Sequence, residues 1–262
     1  MGLTCDSCGK GILKKKFNIK CGEEFVVALA GNPNVGKSTV FNELTGLKQH
    51  TGNWPGKTVV NARGNYEFNK KKFILMDLPG TYSLFANSVE EQVARDFICF
   101  GRPDATIVVV DGTCLERNLN LALQVMEITN NVVVCVNLMD EAERKGIFID
   151  IKALEEELGV PVVATVARKG QGLDELRKRV FNIALGVENP KPKKMTYSKT
   201  VEEAIEKIQP QIHKILKGKL DSRWVALRLI DGDKTIIDSI HEYIYDDKIL
   251  EIQGEEVLVN GR

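Results

Sequence analysis

The chain is poor in histidine and cysteine and carries no net charge. Lysine and arginine number 36 and aspartate and glutamate number 36, giving a formal net charge of +0 at pH 7. That balance argues against a bulk nucleic-acid binder, which needs a basic face to meet the phosphates. No run approaches the roughly 18 apolar residues of a membrane-spanning helix. The N-terminus is polar and lacks the apolar core of a secretory leader. The chain as given is therefore expected to be soluble. Six cysteines in 262 residues are too few for a disulfide scaffold. Cys99, Cys114 and Cys135 sit in apolar stretches and read as buried thiols. Cys5, Cys8 and Cys21 form a Cys-x₂-Cys-x₁₂-Cys pattern in a basic stretch, one ligand short of a closed structural zinc site. The three histidines, His50, His213 and His241, all lie elsewhere in the chain. A small metal knuckle and a tail with free thiols are both open for these cysteines. No internal repeat is visible.

What is present is a phosphate-binding loop. Gly31-Asn32-Pro33-Asn34-Val35-Gly36-Lys37-Ser38 fits Gly-x-x-x-x-Gly-Lys-Ser. The apolar run Phe25–Ala30 before it reads as a buried parallel strand, and Ser38, Thr39 and the residues after them open an amphipathic helix. In such a loop the glycines let backbone N–H groups turn toward phosphates, with the helix N-terminus adding positive potential. Lys37 is then expected on the β- and γ-phosphate oxygens and Ser38 on Mg²⁺.

The loop specifies a nucleoside triphosphate without specifying its base. The base comes from Asn137-Leu138-Met139-Asp140, at the end of the apolar run Asn131–Val136 and about 100 residues beyond the loop. A carboxylate there can accept from the N1–H and 2-amine of guanine. Adenine offers neither donor, and a site built on such bonds discriminates by roughly 10⁴–10⁵-fold. Asn137 can bridge the base region and the phosphate loop. Asp77-Leu78-Pro79-Gly80 ends another strand, with Asp77 placed to hold Mg²⁺ through a water and the Gly80 N–H to meet the γ-phosphate. The segment Gly52 to Thr58 reads as a mobile loop bringing Gly56, Lys57 and Thr58 to the nucleotide, with Thr58 as a second hydroxyl on Mg²⁺. Thr58 as an ordinary loop residue is the alternative. After the strand Pro161–Ala164, the backbone of Thr165, Val166 and Ala167 could close over guanine, while Arg168 and Lys169 read more simply as solvated charges. His50 could approach the phosphates or be solvated, and Trp54 could face a partner or pack locally.

These motifs, in order, resemble those of small GTPases of the translation-factor-like class. The combination Gly-Asn-Pro-Asn-Val-Gly-Lys-Ser, Gly-Asn-Trp-Pro-Gly-Lys-Thr, Asp-Leu-Pro-Gly-Thr-Tyr-Ser-Leu and Asn-Leu-Met-Asp-Glu-Ala resembles the FeoB family of prokaryotic ferrous-iron transporters, over roughly Phe25 to Asp233. The resemblance implies a cytosolic GTPase, a helical domain after it, and then membrane helices that carry the iron. It places the chain at the cytoplasmic face of the membrane, attached to the membrane-embedded remainder of the transporter. It also implies potassium stimulation through Asn34 and backbone carbonyls near Gly52 and Trp54. In an iron-transport context Cys5, Cys8 and Cys21 could be an iron-responsive thiol site. A small regulatory protein and a second copy of the chain are further candidate partners; nucleic acid is not expected. Thr81 follows the Asp-Leu-Pro-Gly run where many GTPases carry a water-orienting Gln, an absence the family shares. Val166 stands where related proteins often have a small polar residue.

The expected architecture is an α/β P-loop GTPase fold with a mostly parallel six-stranded sheet and helices on both faces, followed by a small all-helical domain. The expected divisions are a cysteine-containing extension over 1–22, a GTP-binding domain over 23–186, a linker over 187–198 and a helical domain over 199–262, ending ahead of the membrane helices. Asn69 and Lys70 read as a hairpin turn, and Pro210 as a kink in the first helix of the last domain. The expected function is a slowly hydrolysing, Mg²⁺-dependent GTP switch that regulates ferrous-iron transport, with GTP and GDP as its nucleotides. The alternatives are a ribosome- or tRNA-associated GTPase, and a nucleotide-dependent binding module with incidental hydrolysis.

Overall fold

The structure, a computed structural model, describes residues 24–46, 49–54, 59–85, 87–217 and 219–241. Cys5, Cys8, Cys21, Gly56, Lys57 and Thr58 lie outside the described residues, as does the side chain of His50. The chain divides into two compact units, one of them Gly22–Thr196, the other with its described part beginning at Tyr197.

In the first unit the strands are β1 (Glu24–Gly31), β2 (Gln49–Asn53), β3 (Val60–Phe68), β4 (Lys71–Asp77), β5 (Ala105–Asp111), β6 (Val132–Asn137) and β7 (Val162–Ala164). They form one sheet in the order β2-β3-β4-β1-β5-β6-β7. β4, β1, β5, β6 and β7 run parallel, while β3 is antiparallel to both β2 and β4. The parallel strands are continuous apolar runs because both of their faces are covered. Val132 to Val136 are buried at every position, as are Ala105 to Val110. Six strands are expected from the sequence and seven are found among the described residues. The additional one is β2, whose Gln-His-Thr-Gly-Asn has no apolar alternation and which is held at the sheet edge by pairing with Val60–Gly64. Gly52 and Asn53, read from sequence as loop, belong to it. The β3–β4 turn is as expected: Asn69 and Lys70 both have positive φ, 50° and 62°, the left-handed pair that matches a twisted two-residue hairpin.

The helices are α1 (Lys37–Thr45), α2 (Val89–Gly101), α3 (Leu115–Ile128), α4 (Met139–Arg144), α5 (Ile151–Leu158) and α6 (Leu173–Ala184). On one sheet face Phe41 and Leu44 of α1 and Leu176, Val180 and Ile183 of α6 share a core with Val27, Leu29, Phe73, Leu75 and Val133. α3 packs against β5 and β6. Each fully buried Val, Leu or Phe here contributes about 1.5–3 kcal/mol relative to exposure, which is what holds the strand ends in place beneath the loops they carry. Cys99 and Cys135 are buried as expected, but Cys114 is exposed, because the turn Gly112–Cys114 lifts it off the sheet before α3 begins.

Residues beyond Gly186 read from sequence as a linker. Up to Thr196 they are fastened to the first unit. Lys191 N–H donates to Gly159 O (3.0 Å) and Lys193 N–H to Leu158 O (3.0 Å). Lys194 Nζ donates to the Met126 and Glu127 carbonyls at 2.7 and 3.1 Å, and Met195 N–H donates to Glu127 Oε1 at 2.8 Å. A lysine at the last carbonyls of α3 satisfies groups that have no partner within the helix and complements its dipole.

The second unit contains α7 (Lys199–Leu216) and α8 (Ser222–Ile230), with helical backbone again at 234–241. α7 runs as one helix through Pro210. Ile205, Ile212 and Leu216 are buried, whereas Ile215, counted from sequence among the apolar positions, is 67% exposed. Arg223 forms a two-pronged ion pair with Glu202 at 2.7 and 2.8 Å, clamping α8 to α7.

Candidate functional site

The loops that carry the Gly31–Ser38, Asp77–Gly80, Asn137–Asp140 and Thr165–Ala167 motifs leave the C-terminal ends of parallel strands, where open α/β sheets bind ligands. Gly31 ends β1, and Asn32, Pro33, Asn34 and Val35 form the loop. Gly36 begins α1 with φ 82°, a left-handed conformation that glycine adopts without strain. A Cβ there would meet the Asn137 amide nitrogen at 2.3 Å, so two motifs a hundred residues apart require this position to be glycine. Lys37, Ser38 and Thr39 form the first turn of α1, with Ser38 exposed. Asn34 is also exposed and has φ 68°, while Asn32 is buried with its side-chain oxygen unpartnered.

Asp77 ends β4 beside Leu29 of β1 and forms an ion pair with Lys37. Burial pushes the Asp77 carboxyl above the usual carboxylate range, and the Lys37 charge and hydrogen bond offset part of that rise. Leu78 N–H donates to Leu29 O (3.0 Å), and Thr81 N–H donates to Gly31 O (3.3 Å). The Leu78-Pro79-Gly80 turn is thereby laid beside the phosphate loop, with Gly80 against Pro33. Thr81 itself is buried. Gly52 is exposed in β2, and Trp54 follows that strand. Trp54 is buried edge-on to Phe97 of α2 at 5.2 Å, so of the two roles open to it, local packing is the one found.

The base end of the site is tied together by Asn137. Its amide nitrogen donates to Val35 O at 3.0 Å. Its amide oxygen accepts from Ala167 N–H at 3.0 Å and from the Thr165 hydroxyl at 3.1 Å. One buried side chain thus fixes the phosphate loop, the end of β6 and the Thr165-Val166-Ala167 segment together. Leu138 has φ 62° and starts α4, which carries Met139 and Asp140; Met139 N–H donates to Thr165 O at 3.3 Å. Val166 is buried, and its N–H donates to Gln171 O at 3.1 Å, closing a small bridge across the turn.

Asp140 Oδ2 accepts from Arg168 Nη2 at 2.6 Å and pairs with Lys169 Nζ at 3.1 Å. Its other oxygen, Oδ1, is buried and has no hydrogen-bond partner. The Arg168 hydrogen bond, with Lys169 assisting, lowers the carboxyl pKa to about 2, so Asp140 is ionised throughout the physiological range.

Among the described residues, therefore, the structure brings the Gly31–Ser38 loop, the Asp77–Gly80 turn, Asn137 to Asp140 and Thr165 to Ala167 to one end of one sheet. Residues 25–180 match the family described as ferrous iron transport protein B, and residues 197–257 match the FeoB cytosolic helical domain. The chain belongs to the FeoB family. Its fold is the P-loop GTPase fold of that family's N-terminal domain, with a helical domain after it. It is 44% identical over 216 residues to the Fe(2+) transporter FeoB of Methanocaldococcus jannaschii, covering 82% of this chain and 32% of that protein. It is 41% identical over 217 residues to a Fe(2+) transport protein A/Fe(2+) transporter FeoB fusion protein of Porphyromonas gingivalis, covering 81% of this chain and 26% of that protein. The chain thus spans roughly a quarter to a third of the length of these curated relatives. The cytosolic domain of the T. maritima FeoB iron transporter in GDP form I superposes with a TM-score of 0.76 at 36% identity, covering 85% of each chain. Among the described residues no helix is long and apolar enough to cross a membrane.

Three contributors do not stand out in the sequence. Arg168 and Lys169, read as solvated, are the partners of Asp140. Helix α4, which carries Asp140, is only six residues long and was not foreseen.

Proposed function

We propose that this chain is the guanine-nucleotide switch of a ferrous-iron transporter: it binds GTP and GDP at the cytoplasmic face of the membrane and hydrolyses GTP slowly. The observation that carries the reading is the Asn137 tether together with the unpartnered Asp140 Oδ1. An ionised carboxylate with one buried, unpartnered oxygen suits guanine, which presents N–H donors there, and penalises adenine, which does not. The GDP-bound relative supports the same reading.

Roles follow from position. The phosphate-loop backbone from Gly31 to Gly36 and the α1 N-terminus face the phosphates. Lys37 exchanges Asp77 for β- and γ-phosphate oxygens, and Gly80 meets the γ-phosphate. Ser38, Asp77 and Thr58 supply oxygen donors of the hard type that suits Mg²⁺. Held there, the ion would supply positive charge beside the phosphate oxygens. Asn34, with the carbonyls near Gly52 and Trp54, would hold K⁺ beside the same phosphates, and the exposed Asn34 side chain is compatible with that role. Water attacks in line, without a Gln to orient it, since Thr81 occupies that place and is buried. The functional divisions are a nucleotide-binding domain over 23–186 and a helical domain from 199, joined by the 187–198 segment, which belongs to the first unit up to Thr196. The transported ion and the regulation of its passage are carried over from the family.

Single-turnover GTP hydrolysis by the 262-residue chain tests this. The expected rate in potassium is on the order of 10⁻⁴–10⁻² s⁻¹, the range of unassisted switch GTPases, and it should be slower in sodium. Binding without any hydrolysis in either salt would leave a nucleotide-dependent binding module instead.

A further inference from the structure

Asp140 is covered on one side by two cations from a neighbouring loop. Arg168 and Lys169 both converge on Oδ2, at 2.6 and 3.1 Å, and Arg168 Nη1 also reaches Glu141 Oε1 at 3.6 Å. An ionised carboxylate has about two lone-pair sites on each oxygen. With two cations on it, Oδ2 has no capacity left, while Oδ1 has all of its own. Guanine brings two donors to such a carboxylate, the ring N1–H and the exocyclic 2-amine, and needs both oxygens.

We propose that Arg168, assisted by Lys169, competes with the guanine 2-amine for Asp140 Oδ2 and so sets how tightly the base is held and how fast it leaves. The inference rests on the guanine-binding reading of the site. Oδ1 takes N1–H without a competitor. Oδ2 takes the 2-amine only as Arg168 swings away. When the base begins to leave, Arg168 is positioned to recapture Oδ2 and complete its displacement. Arg168 is about half exposed, so water can solvate it when it lets go. Its loop is anchored three residues and one residue earlier, through the Thr165 and Ala167 bonds to Asn137, so the guanidinium can swing while the backbone stays fixed. Arg168 is in this sense a positioning residue, acting on the base through Asp140.

The test separates the two donors of guanine. Inosine nucleotides keep N1–H and lack the 2-amine. Kd and dissociation rates of GDP and IDP are measured on the full 262-residue chain by fluorescent-nucleotide displacement, for wild type, Arg168→Ala and Arg168→Lys. The expected result is a GDP-over-IDP affinity ratio that rises by roughly two- to fivefold in Arg168→Ala, the range an exposed ion pair can supply. GDP dissociation should slow by a similar factor, and Arg168→Lys should return the ratio most of the way to wild type. If Arg168 merely supports the loop, GDP and IDP would weaken together and the ratio would not move; that overturns the inference while leaving guanine binding intact. A ratio that falls would show that Arg168 assists the 2-amine, and also overturns it. Wild-type protein that binds neither nucleotide would remove the reading beneath it as well.

Discussion

The two ends of the nucleotide site are built differently. At the base end, Asn137 makes three hydrogen bonds that join the phosphate loop to the Thr165–Ala167 segment, all among buried groups. At the phosphate end, Lys37 and Asp77 satisfy each other, and ligand must take both from that pairing. The Asn137 tether at the base end is made of neutral hydrogen bonds that need not break on binding, and only the exposed Arg168 beside it has to release Asp140. The phosphate end is held by charges that must be reassigned. A preorganised recognition element gives specificity at little reorganisation cost, whereas a remade ion pair makes the fold around it responsive to which phosphate is present. The difference suits a protein that keeps one base and exchanges one phosphate.

The largest effect that could break this contrast is at Asp140. Asp140→Asn replaces one carboxylate oxygen by an NH₂ donor, which opposes the guanine 2-amine and pairs with the 2-oxo group of xanthine, and should shift preference from GDP toward XDP by roughly 10⁴-fold, the discrimination available to a hydrogen-bonded site. Competition of the two diphosphates for the variant measures it, and retained GDP preference would mean that another residue reads the base. Lys37→Ala comes next. Loss of two charge-assisted bonds to phosphate, each worth about 1.5–3 kcal/mol, should weaken GTP binding by roughly 10²–10⁴-fold. The circular dichroism spectrum should be unchanged, because Asp77 can protonate once Lys37 is gone. Asn137→Ala should instead act on the fold as well as on binding, costing about 3 kcal/mol as the Val35 carbonyl and Ala167 N–H lose their partner. Denaturant unfolding without nucleotide reads that loss, and an unchanged midpoint would show that the base end is not preorganised by this side chain.

Smaller effects sharpen the comparison. Asn34→Ala should abolish the difference between potassium and sodium in GTP hydrolysis while leaving GDP affinity close to wild type; identical wild-type rates in the two salts would dismiss Asn34 as a cation ligand. The smallest effect expected lies outside the site, at Glu202. Hydrogen bonds from Arg223, and then from the Tyr197 N–H, lower its pKa from 4.5 to about 2. Its contribution is therefore fully present above pH 4.5 and is lost as pH falls toward 2. The thermal midpoint of Glu202→Gln should lie below that of wild type at neutral pH, with the gap narrowing as acid is added. A gap independent of pH would mean that packing, not charge, sets it.

The placing of the Gly31–Ser38 loop and the Asp77–Gly80 turn at strand ends was legible in the sequence because its determinants are local. Gly31 to Ser38 lie in one loop, Asp77 to Gly80 in another, and each follows an apolar strand whose burial is forced by its composition. Asn137 and Asp140 were legible for the same reason. What was missed depends on pairing across the fold. Gln49–Asn53 has no apolar alternation and is a strand only because β3 offers it an edge. Arg168 is 28 residues from Asp140, and nothing in Ala-Arg-Lys-Gly distinguishes a carboxylate partner from a solvated charge. The 187–196 segment looked like a free linker because its composition records the two prolines and not the α3 and α5 carbonyls that Lys193 and Lys194 reach. Ile215 fits the helical period and still faces solvent, since period fixes a stripe without fixing its width.

The central claim is that a preformed base end selects guanine before the phosphate end responds. Direct titration of the wild-type chain with GDP and with ADP, at one Mg²⁺ and potassium concentration, tests it most directly. The two ligands present identical phosphates to Lys37 and differ only at the base. The account predicts GDP binding on the order of 10³-fold or more tighter than ADP; equal affinities would contradict it.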